Sequence, residues 1–208
     1  MPIAVATLSM LSAANSAAYW GANAFLLSRS PTLIQSGVYG YVFTGGSVVS
    51  PGNTAAVSAY IGDLVAPGKT SASLKTLLAP MVANISATWP GQISISLNVT
   101  DFPDFYSYWH VSSGAIGVGT DIVLGSRLLN GEALSSPRAV LVQTLQEATP
   151  PGGVVNINLI SGPGVWSAVP RGGNDSVHPS WRKAYVHFGK ARLSPLLVPF
   201  FSLSSEAC

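Results

Sequence analysis

Residues 70–100, "TSASLKTLLAPMVANISATWPGQISISLNVT", constrain the fold more than any other stretch of this chain. In their first part Leu74, Leu77, Leu78, Met81 and Val82 recur at helical spacing, and Thr70 or Ser71 stands where an N-cap belongs. "QISISLNVT" then alternates apolar and polar residues strictly, the pattern of a half-buried strand. An amphipathic helix that leads into an alternating strand can bury its stripe on the apolar face of a sheet.

The rest of the chain extends the pattern. Residues 3–10 read as a strand, followed by a helix in which Tyr19, Trp20, Ala24 and Leu27 fall at helical spacing. Ser16 is its candidate cap, Pro31 interrupts it and Gly37 closes the segment. "VYGYVFTG" alternates, with Val38, Gly40 and Val42 on one face and Tyr39, Tyr41 and Phe43 on the other. "TAAVSAYIGDLVAPG" reads as a strand, and "SSPRAVLVQTLQEAT" as a helix capped by Ser135 or Ser136. "DFPDFYSYWHVSSGAIGVG" reads as an aromatic connection and "DIVLGSRLL" as a short strand or turn. "GGVVNINLISGPGVWSAV" reads as a strand, a glycine turn and a short segment around Trp166. The predicted class is α+β: a mostly antiparallel sheet with helices packed on one face. Residues 1–187 form the domain and 188–208 an irregular tail.

Charged residues make up only 9% of the 208, against about 25% in an ordinary chain. Such a surface is either rich in Ser, Thr and Asn or partly destined to be covered. The net charge of +2 is scattered, which argues against nucleic acid as a partner. No run of about 18 apolar residues is present, so no membrane span is expected. The opening "MPIAVATLSMLSAANSA" loosely resembles a signal peptide, but it lacks a basic start and Thr7, Ser9 and Ser12 break its apolar run. It reads as a strand, and localisation stays open. Cys208 is the only cysteine, so an intrachain disulfide is excluded. Asn84, Asn98 and Asn174 head glycosylation sequons.

No phosphate-binding loop and no nucleophile elbow occur, and the glycines of "SGAIGVGTD" are wrongly spaced for a phosphate cradle. His110, His178 and His187 are not spaced to share a metal, and none is expected. His187 has the placing of a structural histidine, and His178 that of a cap before Trp181. Asp101 and Asp104 suit turn capping around Pro103. The aromatic run Phe102, Phe105, Tyr106, Tyr108, Trp109, ending at His110, suits either a planar organic ligand or a lid over the core. Tyr39 and Tyr41 pose the same choice between pocket wall and interface. Tyr39, Tyr41, Trp109 and His110 are the candidate substrate-binding residues; no catalytic residue is singled out.

The segments "SPTLIQSGVYGYVF", "LKTLLAPMVANISA", "DFPDFYSYW", "LGSRLL" and "NDSVHPSWRKAYVH", in that order, resemble the substrate-domain half of fungal FAD-linked oxidoreductases of the berberine-bridge-enzyme type, within the vanillyl-alcohol-oxidase superfamily. The resemblance covers roughly residues 2–187, and its strongest element runs from Val177 to Arg182. It implies oxidation of a small organic intermediate of fungal secondary metabolism by hydride transfer to FAD. It also implies that the sheet face roofs a flavin held by a separate glycine-rich domain, which this chain lacks. FAD is therefore expected through a flavin-domain partner rather than on this chain alone, with self-association the other way to cover the face. Trp181 is expected to pack and Arg182 to pair or point to the domain boundary. The alternatives are a cofactor-free binding or cyclising protein and a non-catalytic pseudoenzyme domain.

Overall fold

The computed structural model describes residues 1–49, 54–112, 122–169, 171 and 177–193. Asn174, Cys208, the "SGAIGVGTD" segment and residues 194–208 lie outside them. Among the described residues, seven strands form one sheet: β1 (Ile3–Ala13), β2 (Tyr39–Val48), β3 (Val57–Pro67), β4 (Ile93–Phe102), β5 (Ile122–Asn130), β6 (Val155–Leu159) and β7 (Ala184–Leu193). Their order across the sheet is β4-β1-β3-β2-β6-β7-β5, and every pairing is antiparallel. The helices are α1 (Ala17–Ser28), α2 (Ser30–Gln35), α3 (Ser71–Thr88), α4 (Phe105–Ser112), α5 (Gly131–Leu134), α6 (Arg138–Ala148) and α7 (Pro163–Trp166). This is the α+β architecture expected from the alternation of periods.

Helices α1, α2, α3 and α6 bury one sheet face. Ala4, Ala6, Leu8 and Met10 of β1, Val42 of β2, Leu64 of β3 and Ile157 of β6 meet Tyr19, Trp20, Leu33, Leu74, Leu78, Ile85, Leu141 and Leu145 in a continuous core. Local chemistry sets the helix ends. The Ser16 hydroxyl accepts from Tyr19 N at 3.1 Å, and that of Thr70 accepts from Ser73 N at 3.3 Å. Gly37 takes φ +73°, a left-handed conformation that side-chain-bearing residues rarely adopt, which explains its place after α2. The Asp101 carboxylate, at the end of β4, accepts from Ser71 N and Ser71 Oγ, both at 2.6 Å, tying the start of α3 to its neighbouring strand.

Three expectations are corrected. The aromatic connection after β4 contains a helix, α4. Asp104 starts it by accepting from Ser107 N and Oγ at 2.8 Å, and these two bonds hold its carboxyl below the usual range. The helix before β6 is capped by neither Ser135 nor Ser136. A short α5 precedes it, capped by Asn130 through Ala133 N at 3.0 Å, and Pro137 is the N-cap of α6. Finally, β7 crosses residue 187 and continues to Leu193, because it pairs with β5 on one side and β6 on the other.

Two tyrosines are sealed in the core. Burial pushes the Tyr19 phenol up to about 12, against hydrogen bonds that pull it back, and burial raises Tyr60 as well. A phenol kept neutral inside stabilises the fold fully below its ordinary value of 10.0 and loses that contribution as the pH rises through its higher folded value. Urea denaturation above pH ~10 should therefore show stability falling with pH. Tyr60→Phe should flatten that slope while changing stability at neutral pH by less than about 1.5 kcal/mol; an unchanged slope would contradict the assignment. Asp101→Ala should cost about 1 kcal/mol in the same measurement, with no change of fold by circular dichroism.

Candidate functional site on the open sheet face

Among the described residues, no layer of long helices packs on the second sheet face. The antiparallel registers place one residue from each strand in a cross-strand row: Asn98, Thr7, Asp63, Tyr41, Asn158, His187 and Leu128. Directly opposed side chains of such a row stand about 5 Å apart at Cβ. The next row holds Ser96, Ser9, Ile61, Phe43 and Asn156. Tyr41, Phe43 and Ile61 are 57%, 51% and 53% exposed at the centre of the sheet, where large apolar side chains are normally covered.

Polar groups are fixed within this apolar patch. Thr7 Oγ1 donates to Asp63 Oδ1 at 2.7 Å. Asn158 Nδ2 lies 3.3 Å from His187 Nδ1, and Trp181 tilts against the His187 ring at 5.7 Å. Asn158 is only 9% exposed. Its Oδ1 and that of Asn156 are buried and accept no hydrogen bond from the described residues.

Helix α4 leads from the edge strand back toward the row. Its half-buried Tyr108 packs edge-on against Phe102 at 5.6 Å. Burial raises the Tyr108 phenol, and the nearby Asp63 and Tyr41 oppose its ionisation further. Tyr41, Asp63 and Tyr108 thus form one electrostatic group on the open face.

The four candidates from the sequence fall in three places. Tyr41 sits in the centre of the row. Tyr39 shares its strand face but is half-buried at the strand end, where its ring crowds Gly162 and would meet a Cβ there at 3.1 Å. Trp109 and His110 project outward from α4. Trp109 stacks on Phe105 at 6.3 Å, and His110 on Tyr106 at 6.0 Å. Tyr108 belongs to the aromatic run read from the sequence as a ligand site or a lid, whereas Asp63, Asn156 and Asn158 are not singled out there. The available signals were a lone acid inside the strand "AYIGDLVAP" and asparagines at alternate positions of "VVNINL". His178 behaves as a cap, its Nδ1 accepting from Ser180 N at 3.2 Å, and Arg182 Nη1 donates to the Val165 carbonyl at 2.6 Å.

Other features are less apt. A hollow of about 280 Å³ beside Trp20, Gln146 and Pro150 is lined by no ionisable side chain. Among the described residues, no group of three or more His, Cys, Asp and Glu side chains could hold a metal ion, and no helix is long and apolar enough to cross a membrane.

Solved structures share this fold. The VAO-type flavoprotein MtVAO713 from Myceliophthora thermophila C1 superposes with a TM-score of 0.79 and 24% identity, over 93% of this chain and 34% of that one. The fold is shared with VAO-type flavoproteins. A second such protein from the same organism, MtVAO615, matches with a TM-score of 0.68 and 17% identity, over 92% of this chain and 33% of its own. CrmK, a flavoenzyme involved in shunt product recycling in caerulomycin biosynthesis, matches at 0.60 and 14%, over 93% and 38%. The chain thus spans about a third of the length of the structures it resembles. No family model and no curated protein sequence matches it.

The coupling between Tyr108 and Asp63 can be checked directly. In Asp63→Asn the phenol of Tyr108 should ionise at lower pH, because a nearby negative charge is gone. Carbon-13 NMR of labelled tyrosine, with Tyr108→Phe for assignment, reads this out; an unmoved resonance would separate Asp63 from the group.

Proposed function

We propose that this chain supplies the roof and part of the substrate wall of an FAD-linked oxidoreductase site, completed by a flavin-binding segment. It would act on a small organic intermediate of fungal secondary metabolism. The observation that carries this reading is the row Thr7–Asp63–Tyr41–Asn158–His187, polar groups set among exposed aromatic and aliphatic side chains on one uncovered face. The shared fold of flavoproteins, one of them a flavoenzyme of a biosynthetic pathway, supports it.

The described residues fit part of a flavin site. The exposed Tyr41, Phe43 and Ile61 offer an apolar surface against which a substrate ring can lie, facing a flavin carried by the completing segment. They include no glycine-rich loop to cradle a pyrophosphate, so the nucleotide would be held by the completing segment. The chemistry that FAD, held by the completing segment, would supply is acceptance of a hydride.

The chain's own residues do the positioning and the proton handling. Asp63, oriented by the Thr7 hydroxyl, is the group to take a proton from a substrate hydroxyl, directly or through the phenol of Tyr41 opposite it. Tyr108, whose phenol resists ionisation, remains a donor at neutral pH and can hold the substrate oxygen. Tyr39, Trp109 and His110 stay candidate wall residues farther from the row. Covering the apolar face excludes water from this group, which strengthens each of its polar contacts.

The test is complementation. Co-expressed with the remaining two-thirds of MtVAO713, the chain should co-purify as a yellow complex with flavin absorbance. Asp63→Asn should leave the colour and cut turnover roughly 10²–10⁴-fold. A chain that stays colourless and unassociated would remove the oxidoreductase reading.

A further inference from the structure

We infer that Asn156, Asn158 and His187 form a polar subsite for a neutral ring compound carrying at least two hydroxyl donors. This deepens the reading of the open face as a substrate site and rests on it.

The observations are the two orphaned amide oxygens. Asn156 Oδ1 and Asn158 Oδ1 are both buried, both on the open-face side of β6, and neither accepts a bond from the described residues. A buried acceptor left unpaired costs about 1–3 kcal/mol, so two on one short strand are out of place in a purely structural sheet. Residues two apart on a strand face the same way, about 7 Å apart along it. Both oxygens are acceptors and call for a ligand that brings donors. Asn158 Nδ2 donating to His187 Nδ1 leaves the imidazole proton on Nε2, a third point that can reach a ligand oxygen.

The neighbours select the body of that ligand. Phe43 lies opposite Asn156 and Tyr41 opposite Asn158, both with exposed rings. A ring held by the two asparagines therefore lies against aromatic surface. Asp63 is the charged residue of the row, one strand beyond Tyr41, which disfavours an anionic ligand and favours a neutral one. A hydroxyl bound at Asn158 also stands next to Tyr41 and Asp63, where the proton is to be removed. A saccharide and a polyphenol share this chemistry.

The experiment uses the chain by itself, without flavin, so a failed complementation leaves it interpretable. Side-chain amide resonances of nitrogen-15-labelled protein are followed while glucose or resorcinol is added, with the O-methylated form of each as control. Thermal midpoints of Asn156→Val and Asn158→Leu are measured alongside. The hydroxylated probe should shift the amide signals of both asparagines, and the methyl ether should not. Each variant should lose the response while its melting temperature stays level or rises, since an unpaired buried polar group has been replaced by an apolar one. A response to glucose alone assigns a saccharide-like ligand, and to resorcinol alone a phenolic one. Equal shifts from the methyl ethers, no shift from either hydroxylated probe, or melting points that fall by several degrees in both variants would overturn the subsite; the last result would mean that the native chain already satisfies these oxygens.

Discussion

The pairing of β2 with β3 holds the rest of the structure in place. These central strands approach closely because glycines remove the side chains that would part them. A Cβ on Gly40 would collide with the backbone of Asp63, and one on Gly62 would meet Val42 Cγ2 at 2.5 Å. The register this permits sets Tyr41 opposite Asp63. A slip of β2 by one residue would send Tyr41 to the helix side and bring Val42 to the open face, away from its place over the core. The row of polar groups and the continuous core are thus two consequences of one register.

The two faces of that register have different fates. On one side, α1, α2, α3 and α6 cover a core that includes Tyr19 and Tyr60. On the other, α4 packs through Tyr108 on Phe102 and the turn carrying Trp181 packs on His187, while Tyr41, Phe43 and Ile61 stay exposed among the described residues. With one face of the sheet buried among the described residues, the other leaves apolar area that further chain can cover, at about 25 cal/mol per Å² of driving force. The low charge of the sequence is the same property seen in composition.

Where one physical signal dominates, the sequence alone was enough to read the element. Helix α3 and strand β4 have clean periods, and Ser16 and Thr70 cap as their hydroxyls suggest. Helix α4 was not legible because its aromatic residues point in several directions, most of them exposed, so no stripe marks it. Strand β7 was cut short because "FGKARL" has no apolar alternation; its partners β5 and β6 supply the order. Of the site, Tyr41 was legible from the alternation of "VYGYVF". Asp63, Asn156 and Asn158 were not, because a polar residue inside a strand takes its meaning from the residues across the ladder, and register is a long-range property.

The central claim is that the Tyr41–Phe43–Ile61 face is bare in the isolated chain and becomes covered in its working form. Hydroxyl-radical footprinting at dilution, read residue by residue, tests it most directly. Tyr41 and Phe43 should be modified rapidly while Tyr19 and Tyr60 stay silent, and adding a flavin-binding complement should protect the first pair. If Tyr41 and Phe43 are as unreactive as Tyr19 in the dilute, unaccompanied chain, the face is already closed and the account fails.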